Sequence, residues 1–202
     1  GILKSTDKGK TWTNVGLTDS HHIGRIIINK NNPDEVVVGV IGHLYSKNNE
    51  RGIYKTTDGG KTWKNTLFID DMTGVIDISV SPKNSTILYA ASWERMRKAW
   101  DFDGDGNGSA IYKSTDAGTT WTNPGNLGLS GDLAYDNADG IYGESGGSFA
   151  RLEIAVSHQN PNTVFAAIVD NSVGSVLKVS YDGGQTFDLF NNEDGTADTW
   201  LN

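Results

Sequence analysis

Short runs of β-branched and aromatic residues, separated by Gly, Asn, Asp and Pro, recur along the whole chain. Residues 23–29 (Ile-Gly-Arg-Ile-Ile-Ile-Asn) align with residues 75–81 and 151–157. Each is followed by a turn segment, 30–34, 82–86 or 158–162, in which Asn-Pro or Asn-Ser suits a tight reversal. A second apolar run comes next: Val36-Val37-Val38, Leu88-Tyr89-Ala90 and Val164-Phe165-Ala166. After a loop of variable length, a third run (52–56, 110–114, 176–180) enters a polar box, and a fourth (62–68, 120–123, 186–190) leaves it. Runs this short, alternating with period two and bounded by turn residues, predict strands, four to a unit.

The box is Ser/Thr-x-Asp-x-Gly-x-Thr-Trp, at residues 5–12, 56–63 and 114–121, with a fourth copy at 180–187 ending in Phe. Its aspartates are Asp7, Asp58, Asp116 and Asp182, and its glycines Gly9, Gly60, Gly118 and Gly184. Its aromatics are Trp12, Trp63, Trp121 and Phe187. The Asp–Asp spacings of 51, 58 and 66 drift while the box stays constant, so one unit repeats with loops of different length. A short carboxylate accepting backbone N–H groups in a Gly-containing turn accounts for the Asp. The hydroxyls extend that network and the aromatic ring packs between strands. Every required residue type is explained by turn chemistry, so these aspartates read as structural rather than catalytic.

Four antiparallel strands per unit, A to D, describe the blade of an all-β fold, the β-propeller, with the boxes at the C–D turns. The expected division is a half blade at 1–18, blades at 19–70, 71–125 and 126–191, the last with a long insertion, and a further start or tail at 192–202. A chain that opens at strand C leaves sheet edges unpaired. The expectation is therefore a piece of a longer propeller chain, not soluble alone.

The net charge of −8 argues against a nucleic-acid partner, which calls for a basic face. No apolar run approaches the ~20 residues of a spanning helix. There is no cysteine, hence no disulfide framework and no thiolate chemistry. The 25 glycines fit a chain of short strands and tight turns.

The box resembles the Asp-box (BNR) repeat shared by sialidases, two-propeller xyloglucan hydrolases and sortilin-type receptor domains. His22-Ile23-Gly24-Arg25-Ile26, Gly42-His43-Leu44, Glu50-Arg51-Gly52-Ile53-Tyr54-Lys55 and Thr73-Gly74-Val75-Ile76-Asp77 are similar to bacterial sortilin-like Asp-box proteins, a group also labelled glycosyl hydrolases. The resemblance implies a bacterial protein, secreted or at the cell surface, whose propeller recognises a peptide, protein or carbohydrate. Two alternatives stay open: a glycoside hydrolase of the two-propeller type and a scaffold in a surface assembly. The Arg-Ile-Pro opening of sialidases is absent, which disfavours that activity.

Antiparallel order puts the A–B and C–D turns on one rim and the B–C and D–A loops on the other, where ligand residues are expected. Arg25, Asp77 and Glu153 occupy one aligned position of strand A. They fit either an inter-blade ion pair or a ring contacting ligand. Trp93, Arg95, Arg97 and Trp100 interleave aromatics with cations, a composition suited to stacking on a sugar or pairing with an anion. Asp101, Asp103, Asp105 and Asn107 carry oxygen ligands at alternate positions, with Gly106 sixth, like the first half of a calcium loop. The Glu that such a loop has at its twelfth position is replaced by Tyr112, so calcium is a candidate cofactor and a metal-free acidic turn the alternative. His21, His22 and His43 fall on neighbouring loops, candidates for zinc or for hydrogen bonding to a ligand. The Gly-rich, acidic insertion at 124–148 is a candidate lid or partner contact.

Overall fold

The computed structural model describes residues 1–104, 106, 108–123, 151–170 and 174–190. The insertion at 124–148 and the last segment, 192–202, lie outside the described residues. The chain begins with a two-stranded pair, β1 (Leu3–Lys4) and β2 (Thr13–Asn14). A four-stranded antiparallel sheet follows in sequential order: β3 (His22–Ile28), β4 (Val36–Gly42), β5 (Gly52–Thr56) and β6 (Lys64–Leu67). The next unit pairs β7 (Thr73–Val80), β8 (Leu88–Glu94) and β11 (Ile111–Ser114). In place of its expected fourth strand stands a single bridge, Lys113 to Thr122, with both N–H···O bonds at 2.9 Å. The last sheet holds β12 (Leu152–Val156), β13 (Val164–Asp170), β14 (Gly174–Ser180) and β15 (Asp188–Leu189) in order. A hairpin, β9 (Met96–Lys98) with β10 (Asp101–Asp103), projects from the third unit's B–C loop.

The apolar period of two is explained by what each sheet touches. Three separate cores lie between successive units rather than within one. Val38 and Val40 of β4 pack with Ile2, Leu17, Val15 and Trp63 toward the first pair. Val37, one residue out of phase, packs with Val75, Ile78 and Leu88 toward the third unit. In β8 the alternation repeats: Leu88 and Ala90 face the second unit, Tyr89 and Ala91 the fourth. Each fully buried Leu or Ile in these layers contributes about 1.5–3 kcal/mol of transfer free energy.

Strand A shows how burial follows the size of the preceding sheet. Ile78 is 2 % exposed and its counterpart Ile154 5 % exposed, each covered by the preceding unit. Ile26, at the same position of β3, is 46 % exposed and Ile28 57 %, because only β1 and β2 precede it. Likewise Trp12, expected to bury its ring between strands, is 60 % exposed, whereas Phe187 is 4 % exposed. Close approach between units demands glycine: a Cβ on Gly24 would stand 2.2 Å from the Ile76 carbonyl oxygen.

Candidate functional site

The four boxes fold into one hydrogen-bonded turn. In the second copy Thr62 donates its N–H to Asp58 Oδ1 (2.9 Å) and its hydroxyl to Oδ2 (2.6 Å), while the Thr56 hydroxyl donates to Oδ1 (2.7 Å). Thr56 Oγ1 in turn accepts the Gly60 N–H at 3.0 Å. Asp7, Asp116 and Asp182 make the same bonds with Thr11, Thr120 and Thr186. Two consecutive residues then take left-handed φ: Lys8 and Gly9, Gly59 and Gly60, Ala117 and Gly118, Gly183 and Gly184. Only the second of each pair is always glycine.

Accepting so many donors favours the charged carboxylate. The Thr11 hydroxyl and N–H hold Asp7 down to about 2, and those of Thr120 do the same for Asp116. Asp58 is lowered further by Thr62. For Asp182, burial pushes upward, but the Thr186 hydroxyl, the backbone N–H groups and Ser180 together outweigh it.

Each turn is also a joint. Gly59, Ala117 and Gly183 donate their N–H to the carbonyls of Asp34, Thr86 and Asn162 in the A–B turn of the same unit, so both turns share a rim. The lysine just before the box reaches forward to the next unit: Lys4 Nζ to Gly59 O (2.9 Å), Lys55 Nζ to Thr119 Oγ1 (2.9 Å) and Lys113 Nζ to Gly183 O (2.6 Å). The aromatic at the end of the box reaches back: Trp63 Nε1 donates to Val15 O (2.6 Å) and Trp121 Nε1 to Thr66 Oγ1 (3.2 Å).

Among the described residues the opposite rim carries no such repetition. At the aligned strand-A position, Arg25 Nε donates to Asp77 Oδ1 at 2.7 Å, an inter-unit ion pair. Asp77 is 5 % exposed and also accepts the N–H groups of Ile78 (2.9 Å) and Ile154 (3.1 Å), linking three units. Glu153 instead pairs with the exposed Arg151.

Arg51 is fully buried at the base of the loop between β4 and β5. Its Nη1 donates to the carbonyls of Ile41 (2.8 Å) and Met72 (2.7 Å), and its Nη2 to those of His43 (2.7 Å) and Ser46 (3.2 Å). It is a cation that organises carbonyls without a carboxylate. Burial and the neighbouring Arg95 charge pull its pKa down. Sequence reasoning gave Arg51 no role; its place just before Gly52, at φ +94°, is the local signal.

Trp93, Arg95, Arg97 and Trp100 do gather around the β9–β10 hairpin. The Arg95 guanidinium stacks 5.0 Å over the Trp93 ring and that of Arg97 4.9 Å over Phe102. Trp93 Nε1 donates to Gly104 O at 2.6 Å, while Trp100 at the hairpin tip is 84 % exposed. Arg95 Nε and Nη2, the pair of donors that can grip one oxyanion side-on, are buried and make no hydrogen bond. Burial, with the Arg151 charge behind it, lowers the Arg95 pKa. Asp101 and Asp103 stand exposed on β10; Asp105 and Asn107 lie outside the described residues.

Of the histidines, His22 is exposed on β3, its Nδ1 bonded to Gly42 O of the adjacent strand at 2.9 Å. His21 joins His43, their rings stacked at 3.7 Å. The loop that carries His43 meets the hairpin, since Arg97 donates its N–H to Leu44 O at 2.9 Å.

Successive antiparallel sheets stacked through inter-sheet cores, with jointed turns on one rim and irregular loops on the other, define a β-propeller. The model of the Sortilin-Vps10 family, described as "Sortilin, neurotensin receptor 3", matches residues 1–126, and the chain belongs to that family. No curated protein matches it. Among solved structures it is similar to the GH74 xyloglucanase from Xanthomonas campestris, with TM-score 0.64, 16 % identity, and 96 % of this chain and 27 % of that one covered. It is similar too to the GH74 enzyme from Niastella koreensis, with TM-score 0.63, 21 % identity and coverages of 94 % and 26 %. YCF48 from Cyanidioschyzon merolae follows at TM-score 0.50 and 19 % identity, covering 94 % of this chain and 45 % of that one. These likenesses are of fold. The chain spans about a quarter of the length of the GH74 enzymes. No helix among the described residues is long and apolar enough to cross a membrane.

Proposed function

We propose that this chain is part of a secreted or cell-surface recognition propeller of Asp-box type. Its upper rim takes a protein, peptide or glycan ligand through an acidic group. The observation that carries the reading is Arg95. Leaving a buried donor without an acceptor costs about 1–3 kcal/mol, more for a charged group. Arg95 leaves two, and its Nε–Nη2 edge has the geometry for bidentate recognition of a carboxylate, phosphate or sulfate. Trp100, exposed at the tip of the same hairpin, offers an apolar face to the rest of the ligand.

A hydrolytic reading finds less support at the aligned strand-A position. Both oxygens of Asp77 are occupied by Arg25 and two backbone N–H groups, bonds that join units rather than face a substrate. The test is an array of acidic peptides and uronate or sulfated oligosaccharides probed with the chain. Binding that is lost in Arg95→Met and weakened in Trp100→Ala supports the proposal. Equal binding by wild type and Arg95→Met contradicts it, and new reducing ends on the oligosaccharides would favour the hydrolase.

A further inference from the structure

We propose that Asp19, His21 and His43 form a binding site for a divalent transition metal of the zinc class. Asp19 and His21 precede β3, and His43 follows β4, so the pairing of these strands brings the two loops side by side. One ligand atom from each residue lies within 4.8 Å of the other two. Two imidazoles and one carboxylate are a ligand set that zinc accepts, with a fourth position left for water or an exogenous group.

The cluster is built around one fixed member. His43 is clamped on every polar atom: its N–H donates to Asn48 Oδ1 (3.0 Å) and its carbonyl accepts Arg51 Nη2 (2.7 Å). Ring atom Nδ1 meets Ser46 Oγ at 2.7 Å. That contact is the outer partner that orients a ligating histidine, and it turns Nε2 toward Asp19, whose carbonyl O and Oδ1 lie 3.0 and 3.1 Å away. Asn48 Nδ2 donates to the Asp19 carbonyl at 2.9 Å and so anchors the second loop to the first. Gly42, at φ +86°, makes room for the clamp: a Cβ there would stand 2.5 Å from Arg51 Cγ and 2.6 Å from Asn48 Oδ1.

The other two members are free to close. Bonds of about 2.0–2.1 Å to a tetrahedral zinc place ligand atoms about 3.4 Å apart. Reaching that spacing takes side-chain rotation of His21 and Asp19, both exposed, while His43 stays fixed. His21 holds its ring against His43 at the cost of a left-handed backbone, φ +48°. The bound ion would staple these two loops on the rim opposite the boxes, where the His43 loop adjoins the Arg97 strand. The proposal is independent of what binds Arg95.

Titration of the chain with ZnCl2 by calorimetry, and with CoCl2 by its visible d–d bands, tests it. One ion per chain is expected. His21→Ala, at an exposed side chain, and His43→Ala are expected to abolish binding, Ser46→Ala to weaken it about tenfold, and His158→Ala to change nothing. His43→Ala risks the loop clamp, so His21→Ala decides. Absence of binding in wild type, or wild-type affinity in His21→Ala, overturns the site.

Discussion

The two rims are made by the same strands and differ in every other respect. On one, four turns repeat the same bonds to Asp7, Asp58, Asp116 and Asp182 and tie each unit to its neighbours. On the other, the described loops differ from unit to unit: a buried arginine capping carbonyls in one, a cation-rich hairpin in the next. Repetition marks what assembly requires of every unit. The polar groups left unsatisfied gather where repetition stops, at Glu50, Arg51 and Arg95 among the described residues.

The largest effect that would break this comparison is Gly184→Ala on the repeating rim. With φ +82° and a Cβ that would approach Tyr89 Cε1 to 2.7 Å, it combines left-handed strain with overpacking. We expect a loss of about 2–4 kcal/mol, read by urea unfolding.

Acidification comes next. An aspartate whose folded pKa is depressed contributes stability that is present above its unfolded value of 3.8 and is lost as pH falls through the folded value, about 2 for Asp7 and Asp116. The unfolding midpoint should therefore fall steadily from pH 4 toward pH 2, because all four box carboxylates are shifted in the same direction. In Asp116→Asn the fall should be shallower.

A smaller gain is expected from Ala117→Gly. Ala117 sits at φ +59°, where Gly59 and Gly183 stand in the second and fourth copies. Relief of left-handed strain, partly offset by the entropy of a freer unfolded chain, should stabilise by about 0.5–1 kcal/mol. Smallest of all is Trp100→Ala on the other rim: at 84 % exposure its removal should leave the melting temperature unchanged.

The fold was legible because its signals are local and repeated. Alternating apolar runs such as Val36-Val37-Val38 report two buried faces, and the box marks each C–D turn. What the sequence left open depends on neighbours. Ile26 and Ile78 read alike but differ in exposure because a two-stranded pair precedes one and a four-stranded sheet the other, and Trp63 bonds back to Val15 whereas Trp12 bonds Gly9 O of its own turn. The β9–β10 hairpin is hidden because Asp101 and Asp103, at alternate positions, satisfy a calcium-loop spacing and a strand equally well. In the pair His21-His22 nothing local tells which ring meets His43; the stacking of His21 on His43 and the bond from His22 Nδ1 to Gly42 O decide it. Asp19 and Ser46 escaped notice because they matter only through His43.

The central claim, that one rim holds the fold and the other binds, is tested most directly by measuring melting temperature and binding to an acidic-ligand array together for Arg95→Met and Asp116→Asn. The account predicts that Arg95→Met, relieved of two buried unsatisfied donors, keeps or raises the melting temperature and loses binding. Asp116→Asn should lower the melting temperature and keep binding. A drop in binding with Asp116→Asn at full stability, or intact binding in Arg95→Met, would contradict it.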